Sequence, residues 1–176
     1  METIIRGKVW VGGDDIDAYQ ILPERRWVDD SRDLQDFGLW ALEDADTAFR
    51  DKPWALRDSG AAIIVAGRNY GGGGKSIETP VYAVMGAGIK VVLADSFARF
   101  NFRNSINNGL PVLVCRGLNE KVRTGDSITV NMEEGSVVID ATGEKLEIVP
   151  LSSFARELLE CGGYVNYIKK KMKDDR

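Results

Sequence analysis

The stretch from Gly67 to Pro80, GRNYGGGGKSIETP, has the residue types best suited to ligand chemistry. Four consecutive glycines let a ligand approach the backbone closely, and a lysine and a serine follow at once. The apolar run AAIIVAG before this stretch predicts a buried strand, and IETPVYAVMGAG after it predicts a helix. A glycine-rich loop that leads into a helix N-terminus favours anions, because free N–H groups and the helix dipole point there.

Three interpretations of the loop follow from its residues. A phosphate-binding Walker loop needs Gly, four residues and then Gly-Lys-Ser; Gly74, Lys75 and Ser76 supply the end, but Asn69 stands at the leading glycine. A dinucleotide fingerprint is not completed by any spacing of these glycines. The second interpretation is a loop that binds a substrate carboxylate. The third is a tight turn without a ligand, although each glycine costs up to ~1 kcal/mol relative to Ala in regular structure.

The absence of histidine restricts any catalytic chemistry. A general base must be Asp, Glu, Lys, Tyr, Cys or an activated Ser, and no Ser-His or Cys-His pair is available within the chain. The two cysteines, Cys115 and Cys161, are too few for a zinc tetrahedron or an iron–sulfur cluster. The sequence therefore predicts no metal site in this chain and a reducing compartment.

The charge balance excludes some classes of partner. The 176 residues carry a net charge of −4, which argues against nucleic acid or an anionic membrane as the main partner. The basic run from Lys169 to Arg176 is interpreted as a solvated helix end. No signal peptide or membrane span is recognised, so a cytoplasmic location is expected.

The order of apolar segments predicts an α/β fold with a partly parallel sheet and outer helices, formed by one domain over residues 1–176. IIRGKVWVG, AAIIVAG, KVVLAD and LPVLVC predict strands, and the helices between them indicate parallel crossovers. Residues 125–149 predict short antiparallel strands. Residues 14–37 are expected to form a long ordered loop with room for one short helical turn. LWALEDADTAFRD predicts a helix, and SFARFNFRNSINNG predicts a helix capped by Ser96. The final helix is interrupted by Gly162-Gly163.

Four stretches of the sequence match the motifs of one known protein family. RGKVWVGGDDIDAYQILP is similar to the opening strand and its G-D-x-[VI]-x-T-D-x-I-[IL]-P continuation. AAIIVAGRNYGGGGKS is similar to a strand followed by [GA]-x-N-F-G-x-G-S-S-R-E. ADSFARFNFRNSINNGLPVL follows S-F-A-x-I-F-x-x-N-x-x-N-x-G-L-[IL]-P, and CGGYVNYIKKK resembles the C-terminal helix. By these four stretches the chain resembles the small subunit of 3-isopropylmalate dehydratase, the swivelling-domain component of the aconitase superfamily, and the likeness extends over nearly the whole chain.

The resemblance implies a hydro-lyase of leucine biosynthesis that works as a hetero-oligomer. In this family the large subunit carries a [4Fe-4S] cluster, and the small subunit closes over it and contributes binding residues and a base. The reaction removes water from a 2-hydroxy di- or tricarboxylic acid and adds it back. The chemistry that this chain lacks would then reside on its iron–sulfur partner.

The family's catalytic residues do not carry over to this sequence. In the family loop the first Ser of Ser-Ser-Arg-Glu is the base and the Arg holds a substrate carboxylate. Aligned without a gap, the base position falls on Gly74, the second Ser on Lys75, the Arg on Ser76 and the Glu on Ile77. The Thr-Asp pair of the opening motif falls on Ala18 and Tyr19.

Two accounts therefore remain open. In the first, the subunit works on a changed substrate, with Lys75 as the carboxylate binder and Ser76 as the candidate base. In the second, the subunit is non-catalytic or regulatory. A nucleotide-binding module is the alternative from another class. The candidate substrate-binding residues are Asn69, Gly71, Gly72, Gly73, Gly74, Lys75, Arg25 and Arg26.

The two arginines lie in the stretch PERRWVDD, which the resemblance places against the variable substrate side chain. Arg25 and Arg26 would suit an additional carboxylate or phosphate there. The competing interpretation is that both pair with nearby acids, for which Asp29, Asp30 and Asp33 are the candidates.

Overall fold

The computed structural model describes residues 2–27, 33–73 and 76–174. These residues form a seven-stranded sheet in the order β4-β3-β2-β1-β5-β6-β7. The strands are β1 (Ile4–Val11), β2 (Ala61–Ala66), β3 (Val91–Ala94), β4 (Val112–Val114), β5 (Ser127–Asn131), β6 (Ser136–Ile139) and β7 (Lys145–Glu147). The first four strands pair in parallel and the last three add antiparallel, which confirms the predicted fold class.

Helices connect and cover the parallel strands. They are α1 (Ala18–Ile21), α2 (Leu34–Phe37), α3 (Ala55–Asp58), α4 (Thr79–Gly86), α5 (Arg99–Asn107), α6 (Ser153–Glu160) and α7 (Tyr164–Asp174). The predicted break in the final helix is confirmed, because Gly162 and Gly163 separate α6 from α7 with φ angles of 74° and 105°. Within the described ranges, no helix is both long and apolar enough to cross a membrane.

The helix predicted over LWALEDADTAFRD is wrong. Only a 3₁₀ turn at Gly38–Trp40 forms there, and turns follow it. Leu42 is fully buried with a φ of 62°, a left-handed conformation that no α-helix accommodates. The Asp46 carboxylate accepts a hydrogen bond from Trp10 of β1 at 2.9 Å. Long-range contacts therefore override the helical propensity of this segment.

The described part of residues 14–37 contains three short helical segments, more than the one helical turn that the sequence predicts there. It includes α1, a 3₁₀ helix at Glu24–Arg26 and α2. The Asp17 side chain caps α1 by accepting hydrogen bonds from the N–H groups of Tyr19 and Gln20.

Two apolar clusters occupy the two faces of the sheet. Ile64 of β2 belongs to the cluster that faces the helices, whereas its neighbours Ile63 and Val65 belong to the other. This second cluster also contains Ile128 and Val137 from the antiparallel strands, so the sheet curls to enclose its own second face. Burial on both faces explains the continuous apolar run of β2. The sheet brings the carboxyl ends of β1, β2 and β3 to one edge.

Candidate functional site

The loops after β1 and β2 lie against each other at the carboxyl edge of the sheet. Their backbones run side by side, with residues 12–18 of the first loop against residues 67–73 of the second. Hydrogen bonds of 2.7–3.1 Å join them, from the N–H groups of Asp15, Gly71 and Ala18 to the carbonyls of Arg68, Ile16 and Gly72 respectively. The first half of the glycine loop is therefore fixed against a neighbouring strand end.

Side-chain hydrogen bonds also join the two loops. The Asp14 carboxylate accepts hydrogen bonds from the Arg68 backbone N–H and from its guanidinium, both at 2.7 Å. The backbone and side-chain hydrogen bonds from Arg68 hold the pKa of Asp14 below its ordinary value. The Asn69 amide donates to the Asp15 carboxylate at 2.9 Å, and these two residues have φ angles of 58° and 55°. Asn and Asp are the non-glycine residues that adopt left-handed backbone most readily.

The loop after β3 completes the edge through Ser96. The sequence predicts this serine as a helix cap, but α5 begins at Arg99 and its N-cap is Ala98, which makes no side-chain cap. The Ser96 hydroxyl instead accepts the N–H of Asn69 at 2.9 Å, and its carbonyl accepts the N–H of Tyr70 at 3.0 Å. Ser96 therefore holds the start of the glycine loop.

Helix α5 lies beneath the glycine loop. Gly71 has a φ of 75°, and a Cβ on it would lie 2.2–2.5 Å from the side chain of Asn101. The Asn104 amide donates to the Ile77 carbonyl, at the far end of the loop, at 2.9 Å. Sequence reasoning missed Asn101 as a contact of the loop. Its signal was a polar residue at the helix position where the family motif has Phe.

The predicted site residues are brought together only in part. Asn69, Gly71, Gly72 and Gly73 lie at the carboxyl edge, and Ser76 is exposed shortly after them. Gly74 and Lys75, which carry the predicted base position and carboxylate binder, lie outside the described residues.

Helix α4 begins at Thr79, beyond Ser76. A Walker loop instead leads directly into its helix at Lys-Ser, so this geometry does not match it.

Arg25 and Arg26 are held in ion pairs with acids of residues 43–51. Arg25 binds Asp44 with two hydrogen bonds of 2.7 Å. Arg26 binds Glu43 at 2.6 and 2.9 Å, contacts Asp51 at 3.1 Å, and lies 3.6 Å from the centre of the Trp40 ring. Pairing with acids is therefore observed, but with acids later in the chain than Asp33; Asp29 and Asp30 lie outside the described residues.

Glu43 lies at the centre of this network, and its side chain is only 1% exposed. Burial raises the pKa of Glu43, but hydrogen bonds from Arg26 and from the Asp51 N–H outweigh burial, and the net pKa is lowered. The pKa values of both arginines are raised, chiefly by their hydrogen bonds to Asp44 and Glu43. The arginines are thus charged and compensated within the chain.

The positions that align with the family's Thr-Asp pair have structural contacts. Ala18 is buried, and the Tyr19 ring stacks on Trp27 with centroids 5.8 Å apart.

Asp95 at the end of β3 accepts the N–H of Gly117 at 2.7 Å. Hydrogen bonds that hold loops thus engage Asp14, Asp15, Asp17 and Asp95.

No metal-binding group is present in the part of the chain that the structure describes: no three His, Cys, Asp or Glu side chains converge there. Cys115 is buried, and this burial, together with Asp95, raises the pKa of its thiol to about 11. A protonated, enclosed thiol is a poor ligand for iron. The donor set of these residues therefore does not fit an iron–sulfur cluster.

Comparisons of the sequence with known proteins find relatives over nearly the whole chain. A sequence model described as the aconitase C-terminal domain matches residues 32–116. The chain is 42% identical to the 3-isopropylmalate dehydratase small subunit 1 of Methanopyrus kandleri, over 97% of this chain and 96% of that protein. It is 39% identical to the isopropylmalate/citramalate isomerase small subunit of Methanocaldococcus jannaschii over the full length of both.

A solved structure shows the same fold. The crystal structure of 3-isopropylmalate dehydratase from Methanocaldococcus jannaschii superposes with a TM-score of 0.84 at 31% identity, covering 98% of this chain and 97% of that chain.

Proposed function

The chain belongs to the family of 3-isopropylmalate dehydratase small subunits, and from this premise we propose that it acts on a 2-hydroxy di- or tricarboxylic acid such as a 2-alkylmalate. It is a subunit of an aconitase-type hydro-lyase, and a small subunit implies a large-subunit partner. The observation that carries the proposal is the glycine loop, which is fixed at the carboxyl edge of a sheet and leads towards a helix N-terminus.

We further propose that the large subunit holds a [4Fe-4S] cluster and that this chain does not. Support comes from the absence of histidine in the sequence and from the poor fit of its two cysteines. Residues 1–176 are taken as one swivelling domain, because the single sheet receives strands from both halves of the chain.

In this proposal the glycine loop binds a substrate carboxylate. In the first turn of helix α4 Pro80 has no N–H and the Val81 N–H binds the Glu78 carbonyl, so the helix offers the carboxylate the Thr79 N–H and its dipole. Lys75 supplies a point charge in place of an arginine fork, and Ser76 is the candidate base. Asn69 and the glycines Gly71 to Gly74 shape the loop around the carboxylate.

Arg25 and Arg26 are proposed to bind an additional carboxylate of the substrate. Arg25 is the better placed, since its side chain is 51% exposed against 24% for Arg26. Either arginine would have to exchange or share its present acidic partner, and for Arg26 that partner is the buried Glu43. The order of importance expected for binding is therefore Arg25 before Arg26.

The test is anaerobic co-expression with the iron–sulfur large subunit from the same source. The purified complex is assayed for the absorbance of the unsaturated product on a panel of 2-alkylmalates. Lys75→Ala and Ser76→Ala are compared with Lys173→Ala, a control in the exposed end of α7. We expect the first two variants to lose at least about tenfold in kcat/KM, since losing a base typically costs about 10²–10⁴-fold.

Other outcomes would contradict the proposal. A stable wild-type complex without turnover, or loop variants as active as Lys173→Ala, would favour a subunit with no catalytic residue. The absence of any complex, together with nucleotide binding by the lone chain, would overturn the function altogether.

A further inference from the structure

Helix α5 presents a buried polar face. Asn101, Asn104 and Ser105 are 8%, 8% and 1% exposed, and their spacing of three and four residues places them on one side of the helix. Apolar residues normally occupy such a face, because burying an amide without partners costs stability. This face requires an explanation other than core packing.

The two asparagines contact both ends of the glycine loop. The side chain of Asn101 fills the space that a Cβ on Gly71 would need, with its Cγ 2.2 Å and its Nδ2 2.5 Å from that position. One turn further along α5, Asn104 donates to the carbonyl of Ile77 at 2.9 Å. The two ends of the loop therefore pack on one turn of α5.

Asn104 makes this hydrogen bond, but the amide oxygen of Asn101 has none. Asn101 Oδ1 is fully enclosed and lacks a partner among the described residues. Along the loop, Gly72 is paired with Asp17 in an isolated bridge, and the N–H of Gly73 is the next backbone donor after it. Buried acceptors without partners are uncommon in native proteins, and each one needs a reason.

We propose that Asn101 is a positioning residue for the glycine loop: its amide oxygen accepts a backbone N–H of the loop when substrate is bound. This inference rests on the proposed function, because the loop is taken to be the carboxylate-binding element. Asn104 holds the distal end of the loop in both states, whereas Asn101 fixes the proximal glycines only in the bound state. The unpartnered oxygen is then a cost of the free enzyme that substrate binding removes.

The test uses the complete enzyme with its large subunit and the variant Asn101→Leu, which keeps the size of the side chain and removes the acceptor. The matched control is Asn107→Leu, the same substitution at an exposed position of α5. We expect Asn101→Leu to raise KM by about 3- to 10-fold, the worth of one net hydrogen bond. Its unfolding midpoint should be equal to or above that of the wild type.

Hydrogen exchange of the peptide over residues 70–78 supplies a second readout. Adding 2-isopropylmalate should protect this peptide in the wild type and in Asn107→Leu, but less in Asn101→Leu. A merely structural role would lower the unfolding midpoint and leave ligand-induced protection unchanged, and that result would overturn the inference. So would equal KM values for the two variants with an active wild type. An inactive wild-type complex would instead show that the proposed function is wrong, and the inference would fail with its premise.

Discussion

Replacement of Gly71 by alanine tests the packing of the loop on α5 by a change of one methyl group. The new Cβ would lie 2.2, 2.4 and 2.5 Å from the Cγ, Cβ and Nδ2 atoms of Asn101. Favourable carbon contacts lie at about 3.5–4.0 Å, so the loop or the asparagine must move by more than an ångström. Overpacking of this kind costs about 1–3 kcal/mol. The left-handed φ of 75° adds about 1–2 kcal/mol for a residue with a Cβ.

A matched substitution separates these two contributions. Gly73 also has a positive φ, of 98°, but the nearest atom to an added Cβ is 3.7 Å away. Gly73→Ala should therefore carry the backbone cost alone. Gly71→Ala should lower the free energy of unfolding by about 2–5 kcal/mol, which exceeds the loss in Gly73→Ala by the overpacking part. Urea denaturation of each variant measures both values.

A double substitution checks the cause. Replacing Asn101 by glycine removes all three atoms that the new methyl group meets, whereas alanine would keep the Cβ at 2.4 Å. In that background Gly71→Ala should cost only the backbone part, so the two changes should couple by about 1–3 kcal/mol. Equal losses for Gly71→Ala and Gly73→Ala, or additivity with Asn101→Gly, would show that Asn101 does not support the loop as described.

Three further predictions concern other contacts. Glu43→Gln should lower the free energy of unfolding by about 2–3 kcal/mol at pH 7, because it leaves Arg26 without its buried charge partner. The pKa of Glu43 is lowered in the folded chain, so the stability that its charge contributes is fully present above its ordinary pKa of about 4.5 and is lost as the pH falls below it. Urea titrations should therefore show a smaller difference in unfolding free energy between Glu43→Gln and the wild type at pH 3 than at pH 7. Tyr70→Phe should leave stability unchanged or raise it by up to about 1 kcal/mol, because the buried Tyr70 hydroxyl has no partner among the described residues; a loss above 1 kcal/mol in thermal unfolding would contradict this. Ser96→Ala should cost about 0.5–1 kcal/mol and speed hydrogen exchange at Asn69, and unchanged exchange there would argue against its role in the loop.

The sequence was sufficient to predict much of the fold. Runs such as AAIIVAG and KVVLAD are apolar at every position because both faces of a parallel strand are buried, and this property is visible in the residues themselves. The break at Gly162-Gly163 was equally visible, since glycine is the residue that adopts positive φ without strain. The glycine loop, its place between a strand and a helix, and the absence of histidine also came from the sequence alone.

The tertiary structure decided which partners the polar residues have. Ser96 has the residue type of a helix cap, yet it binds the N–H of Asn69 on another loop, and local sequence does not encode that contact. Leu42 lies in a segment with helical propensity but takes a left-handed conformation because the core requires its side chain. Arg25 and Arg26 pair with Asp44 and Glu43, which distant segments bring to them. Asn101 became notable only once α5 was seen beneath Gly71, because the cost of burying a polar atom depends on what surrounds it in three dimensions.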